Sequence, residues 1–529
     1  MKVRKLGAAV VASSLCVLTS CMANPGPPPV EDKPAAESTQ TETPTPEKKE
    51  KEDGVERETV AIGVDPLRGG LNPHLVANNS ELVSQIAELV LPSAFHGEHM
   101  DSDVLASAAE VEPPKGVAQR VVYKIASPAQ WSDGTPISGS DFHYLWTQMT
   151  SNPGVVDPAG YFAIEDISTT SAGRVVVVDF KQRVSDWHRL FAHLLPSHLL
   201  QDAEFTAALA DGIPASAGRY AVEAVDRGRG VITLNRNDRF WGAGPALVDV
   251  VQLRAVRDTS QAVNMLRSGQ VGFVDFTPEQ TSLESLSLLS NVNAGTVTRN
   301  RQLRLHLSAR EGALPEQRQR RALASLIETD QVARLAAGRA SELRPGQNPV
   351  NEEVDLTPLR ERAGRKPLRI AADPTHPEAM AAASTIVDVL EAQAISAEVV
   401  SDRTQTIAGE MLPEAEVDAV VAWENANVSP ESLASLYMCE NDEVRAGDIS
   451  GFCPAEAEDM RGEILSGRIN PDAALEKVRK LNSDEVLYVP LMDEVRIHAL
   501  GRGILGPGQR IEDWDAGLIT APMWRKDEK

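Results

Sequence analysis

Residues 367 to 423 restrict the fold more than any other stretch. Pro367 opens PLRIAADP, a short apolar run that ends in Asp373-Pro374. Glu378 to Ala394 then reads as a helix, rich in Ala, with apolar residues at 386, 387, 390 and 394. Val399-Val400 gives a second short strand, and Val417 to Trp423 (VDAVVAW) reads as a fully buried third. Strand, helix, strand, helix, strand is the pattern of a parallel sheet with right-handed crossovers. The region after about 365 is therefore read as an α/β lobe. Thr59 to Val64, Arg174 to Phe180 (RVVVVDF) and Val231 to Leu234 are earlier strands, and they suggest a more mixed sheet domain. The ~470 residues that follow position 58 leave room for two to four domains.

The N-terminus carries address signals. Lys2, Arg4 and Lys5 precede an uncharged apolar run from Leu6 to Leu18. That pattern is a secretory signal over 1–20, too short to remain as a membrane span. Leu18-Thr19-Ser20-Cys21 resembles a bacterial lipobox, which makes Cys21 the acylated first residue of the mature chain. Such a chain is lipid-anchored on the extracytoplasmic face of the cell membrane. Residues 22 to 58 are rich in Pro, Glu and Lys and hold no aromatic residue. A segment with so little apolar surface does not offset its ordering entropy, so 21–58 is read as a disordered tether.

Charge and cysteine usage narrow the class. The formal net charge is −24. A chain this acidic is a poor partner for nucleic acid, whose phosphates need clustered Lys and Arg. Cys16 leaves with the signal and Cys21 takes the lipid. Cys439 and Cys453 remain, and outside the cytoplasm a lone pair is most simply a disulfide. A metal site would need further Cys or His ligands nearby, and the sequence supplies none. Gly501-Arg502-Gly503-Ile504-Leu505-Gly506 fits a dinucleotide-binding spacing, but Pro507 and Gly508 stand where the phosphate-binding helix should begin. No cofactor and no metal are expected.

The stretch QWSDGTPISGSDF (130–142) raises the one question of catalysis. Asp133 and Asp141 look like an acid/base pair. Asp133-Gly134-Thr135-Pro136 is also strong turn chemistry. Phe142, Leu145, Trp146 and Met149 recur at helical spacing behind it, with Ser140 or Asp141 as the expected N-cap. Both carboxylates thus have structural uses, and no catalytic residue is assigned.

The same stretch resembles the W-S-D-G-x-P signature of the family 5 extracellular solute-binding proteins, the oligopeptide-type receptors of ABC importers. Other landmarks follow in order. Leu195-Pro196-Ser197-His198 is similar to the family's P-x-H. Ala217-Gly218-Arg219-Tyr220 stands in place of G-x-G-P-Y, and its departure suggests a relaxed loop. Asn235 to Trp241 (NRNDRFW) and Ala262 to Val271 (AVNMLRSGQV) resemble two further elements, and Val417 to Trp423 resembles the second-lobe strand. The resemblance implies an α/β fold of the two-lobed periplasmic-binding-protein type II, peptide-receptor-like, with a subdomain of about 95–210 inserted in lobe I. It further implies lobe I over 59–300, lobe II over 301–490, and a return of 491–529 to lobe I. It also places a disulfide near the Cys439–Cys453 pair.

Within that family GGLNPHL (69–75), LVLPSAF (89–95), NPGVVDPAGY (152–161) and GLITAPMW (517–524) resemble the LpqW-type lipoproteins. That resemblance implies a non-transporting binding protein, not an enzyme. The implied ligand is a mannosylated phosphatidylinositol intermediate of phosphatidylinositol mannoside and lipoarabinomannan synthesis. The implied partner is envelope mannosyltransferase machinery. The alternative is a peptide ligand and an ABC permease. Peptide receptors place an Asp after the second-lobe strand to hold the ligand's ammonium, and here Ser429 precedes Pro430 instead. The cleft wall is therefore expected from Trp423, Glu424, Asn425 and Asn427, with Trp423 offering an apolar face and the asparagines amide groups for hydroxyls.

Overall fold

The computed structural model describes residues 57–426, 429–439, 449–508 and 510–527. The signal, Cys21, the tether up to Glu56 and Asn427 lie outside them. One ten-stranded sheet runs through the described chain. Its spatial order is Ala397–Ser401, Leu368–Ala372, Ala419–Asn425, Asn293–Leu307, Tyr488–Leu500, Phe273–Phe276, Thr59–Val64, Val250–Ala255, Val231–Arg236 and Tyr220–Asp226.

The sheet serves two lobes. Leu368–Ala372 is parallel to both Ala397–Ser401 and Ala419–Asn425, as the alternation of residues 367–423 requires. All five of its residues are buried. Helix Pro377–Ala392 crosses over it, begins on a proline at its first turn, and buries Ala382, Ala383, Ile386 and Leu390. The second crossover is shorter and ends in a π turn, Ile407–Met411. In the other lobe Thr59–Val64 is parallel to Val250–Ala255 and Phe273–Phe276. A separate antiparallel sheet stands beside it, in the order Leu105–Val111, Gln119–Ile125, Val175–Phe180, Ile164–Thr170.

Two long strands join the lobes. Asn293–Leu307 and Tyr488–Leu500 pair antiparallel, but the ladder slips between Thr298 and Gln302. Their outer halves, Asn293–Thr298 and Val495–Leu500, belong to the first lobe through Phe273–Phe276. Their other halves belong to the second lobe through Ala419–Asn425. A bulge leaves residues without ladder partners and bends the strand. Here it falls between the lobes, and Arg299, Arg301 and Glu494 sit in it. The chain end packs on the first lobe: Trp514 and Trp524 lie 5.1 and 6.1 Å from the Phe273 ring.

The stretch at 130–142 is a turn and a helix start. Asp133 Oδ1 accepts the Thr135 N–H at 2.8 Å, and Gly134 takes φ +93. The N-cap of helix Gly139–Ser151 is Ser138, not Ser140 or Asp141. Asp141 is instead the third helical residue of a capping box, and its Oδ2 accepts the Ser138 N–H at 2.9 Å. Its other oxygen accepts Ser197 N and Oγ at 3.0 and 2.7 Å. Burial pushes the Asp141 carboxyl up, against the pull of these donors. His198 Nε2 is 2.6 Å from Asp133 Oδ2. Two pieces of the motif far apart in sequence thus meet in space and brace each other. Asp133→Ala should lower stability by about 1 kcal/mol, the typical loss of one such side-chain anchor. Full stability with lost function, read by denaturant unfolding and binding together, would refute this structural assignment. The loop at 217–220 is not relaxed. Ala217 and Gly218 both donate to Val90 O, and a Cβ on Gly218 would lie 2.2 Å from Leu89 O.

Cys439 and Cys453 are bonded, with Cα atoms 5.7 Å apart. Closing a loop of this length stabilises by about 3 kcal/mol in the chain-entropy model.

Candidate functional site

The bulge between the lobes faces a cleft. Its first-lobe wall is Asp65 to Gly69 and Ala77 to Leu82, and its second-lobe wall holds Arg301, Arg339, His376, Glu378 and Trp423. The empty space among these residues, open solvent at the mouth included, is about 800 Å³. Glu494, Val495 and Arg496 form the floor at the strand slip.

Strand alternation decides which predicted residues reach this space. Trp423 is paired with Leu303, and Asn425 with Arg301. These four share one face of the sheet. The Arg301 guanidinium lies over the Trp423 ring, 5.7 Å from its centroid. Asn425 Oδ1 accepts from Asn79 Nδ2 across the cleft at 3.2 Å. Glu424 points to the opposite face and does not line the cleft. There its carboxylate lies 3.5 Å from Arg304 Nη1 and 3.2 Å from His306 Nε2. Burial would raise its pKa, but His306 and Arg304 outweigh that and hold it below the usual range. Glu424 is thus engaged behind the wall and is not a substitute for an amine-holding acid. Ser429 is the N-cap of the short helix Pro430–Ser435, accepting the Ser432 N–H at 3.1 Å.

The cleft is closed by bonds between its walls. Arg68 Nη1 meets Glu378 at 3.3 Å. Arg301 Nη2 donates to Asn79 O at 2.6 Å, and Arg339 Nη1 to Pro278 O at 2.9 Å. Farther out, Ser432 Oγ donates to Asp157 Oδ2 at 2.6 Å. Burial, the Ser432 bond notwithstanding, pushes the Asp157 carboxyl up to about 6.

Among the described residues, each acid that lines the cleft already has a cation. Asp65 lies 2.9 Å from Arg496, and Glu81 lies 3.0 Å from Arg299. Glu494 lies 3.0 Å from Arg301 and 3.2 Å from Arg496, and Glu378 is held by Arg68. His376 is half-buried, and burial together with the nearby Arg68 lowers its pKa, so it stands neutral among these charges. The arginines were not singled out from the sequence. The signal that pointed to them is RNRQLRLHL (299–307), a run of cations on a strand of an otherwise acidic chain.

A domain search places residues 117–357 in the bacterial extracellular solute-binding proteins, family 5, middle region. The chain carries a family 5 solute-binding domain. Its described architecture agrees with solved members. The oligopeptide-binding protein AppA of Bacillus subtilis, in complex with a nonapeptide, superposes with a TM-score of 0.67 at 12% identity. That match covers 89% of this chain and all of AppA. Among curated relatives, the probable monoacyl phosphatidylinositol tetramannoside-binding protein LpqW of Mycobacterium tuberculosis is 30% identical over 358 residues, 66% of this chain. The chain spans 54% of the length of that relative. The oligopeptide-binding protein OppA of the same organism is 31% identical over 192 residues, 34% of this chain and 32% of its own length. These relatives are named as binding proteins, not enzymes, and the family is extracellular.

Proposed function

We propose that this is a cell-surface lipoprotein, anchored through Cys21, whose cleft binds a mannosylated phosphatidylinositol intermediate of phosphatidylinositol mannoside and lipoarabinomannan synthesis. The reading assigns binding without chemistry. One observation carries it: every acid lining the cleft is already paired with an arginine. Among the described residues none is left to hold a peptide's ammonium, and an unpaired charge in a closed cleft is costly. The walls also carry the Trp423 ring and Asn79, whose amide nitrogen bonds Asn425, groups of the kind that suit sugar hydroxyls. The likeness to LpqW agrees with this set. Lobe boundaries near 300 and 490, with 491–529 in the first lobe, are proposed at the strand slip. Envelope mannosyltransferase machinery is the proposed partner.

The second reading, delivery of peptide to an ABC permease, is favoured by the likeness to OppA and AppA. Native mass spectrometry of the protein from its own cells separates the two. A carried mannosylated phosphatidylinositol is the expected result. Micromolar binding of a peptide pool by calorimetry, or peptide found in the native protein, would promote the alternative.

A further inference from the structure

Arg339 breaks the pattern of paired charges in the cleft. It follows Gly338, which closes helix Thr329–Ala337 in the left-handed conformation, φ 64. That turn sends the side chain to the first-lobe wall. The residue is only 6% exposed. Its Nη1 donates to Pro278 O at 2.9 Å, and its Nε is buried with no acceptor. Among the described residues no carboxylate oxygen lies within 4.0 Å of its guanidinium, unlike Arg68, Arg301 and Arg496. Burial holds its pKa below the usual guanidinium value, with Glu378 and Glu342 opposing from farther away. It nevertheless stays charged at neutral pH. A second donor in the same cleft is also orphaned, for Arg301 Nε has no acceptor.

Buried donors are ordinarily satisfied, and a buried unpaired charge is expensive. A site that keeps both has a use for them when a ligand brings the missing acceptors. Guanidinium offers a planar fork that matches the paired oxygens of a phosphodiester or carboxylate. The need for such a cation is greater here, because a chain of net charge −24 repels anions at long range.

We propose that Arg339 is the anchor of an anionic group on the ligand, a phosphodiester or a carboxylate, with Arg301 Nε as its second donor. The proposal deepens the reading above and rests on its placing the ligand in this cleft. The sugar part of such a ligand then lies toward Trp423 and the asparagines, and neutral His376 adds a hydrogen bond without charge.

Calorimetry on the full chain tests this with defined probes: glycerophosphoinositol, inorganic phosphate, methyl α-mannoside, and one tetrapeptide as free acid and as C-terminal amide. Wild type should bind glycerophosphoinositol. Arg339→Gln should weaken that binding roughly 10- to 100-fold, the worth of a hydrogen-bonded charge. Arg339→Lys, which keeps the charge but not the fork, should lose less, and it serves in place of Arg339→Gln if the latter fails to fold. Binding of methyl α-mannoside should not change. Unchanged glycerophosphoinositol binding by the variants would overturn the proposal and leave the glycolipid reading standing. An equal loss for the neutral mannoside would also overturn it, because Arg339 would then serve closure through Pro278. If wild type binds only the free-acid peptide, in an Arg339-dependent way, the anion site stands and the glycolipid reading falls. If it binds none of the anions, the proposal is wrong.

Discussion

Arg496→Leu should destabilise the protein by about 3–5 kcal/mol, the usual consequence of removing one partner from a buried ion-pair network. Arg496 is 4% exposed and lies at the floor of the cleft. Its Nη1 reaches Asp65 at 2.9 Å and Glu494 at 3.2 Å, its Nε bonds Asp275, and its Nη2 donates to Asp275 O at 3.0 Å. Those carboxylates come from three strands or strand ends, so the loss loosens the joint between the lobes as well as the first lobe. Urea or guanidinium unfolding checks it, and a loss below about 1 kcal/mol would show that Arg299 and His498 suffice to hold these acids.

The same network sets a pH dependence. Burial would raise the Asp275 pKa, but Arg496 and His498 overcome it and hold the carboxyl well below the usual range. A depressed acid contributes stability that is fully present above the unfolded pKa of about 4 and is lost as pH falls toward the folded value. In Arg496→Leu the cation is gone and burial favours the protonated acid. The stability difference between wild type and variant should therefore shrink as pH drops below about 4. A gap that stays constant with pH would separate the Arg496 effect from the charge on Asp275.

What the sequence revealed and what it hid follow one physical line. The strands Leu368–Ala372 and Ala419–Asn425 were legible because they are buried on both faces, so each is a nearly unbroken apolar run. The two strands that join the lobes were not. TRNRQLRLHL and YVPLMDEVRIHAL carry several closely spaced charges, which reads as a solvent-facing edge or a loop. In space the charges face one another: Arg301 meets Glu494, and Arg496 meets Asp275 from a strand more than two hundred residues earlier. Pairing of that kind leaves no local signature. The strand period puts Trp423 on the cleft wall and Asn425 on the same face, where it bonds Asn79, and it turns Glu424 away. Arg339 was hidden for another reason. Its place depends on a left-handed Gly338 after a helix, and nothing in LAAGRASE shows which wall the next side chain will reach. The error at the helix start was smaller. Ser138, Ser140 and Asp141 are all capping residues, and Ser138 takes the cap because Asp141, three residues on, returns a bond to its N–H.

Asp418→Ala should cost about as much as Arg496→Leu, about 3–5 kcal/mol, but in the second lobe alone. Asp418 is fully buried, one acid inside the apolar run VDAVVAW. It bonds Arg362 Nη2 and lies 2.9 Å from Arg369 N and 3.1 Å from Arg369 Nε. Alanine would leave two buried guanidinium groups facing each other. Among the described residues each would keep neutral acceptors alone, Ala313 O, Gly312 O and Lys366 O for Arg362 and Ala415 O for Arg369. The lobes need not unfold together, since a chain of this size departs from two-state behaviour. Trp423 is the single tryptophan between residues 301 and 490, and the difference in emission between each chain and its Trp423→Phe counterpart isolates it from the other tryptophans. Its fluorescence reports the second lobe and, through the Arg301 stack, the cleft wall. In Asp418→Ala the Trp423 transition should move to lower denaturant, while circular dichroism keeps a later transition from the first lobe. In Arg496→Leu both should move, because that network ties the lobes at the strand slip. If the Trp423 transition of Asp418→Ala coincides with the wild type, the buried triad contributes nothing net. If every probe shifts together in Asp418→Ala, the lobes are one cooperative unit and the slip between Thr298 and Gln302 is not a mechanical joint.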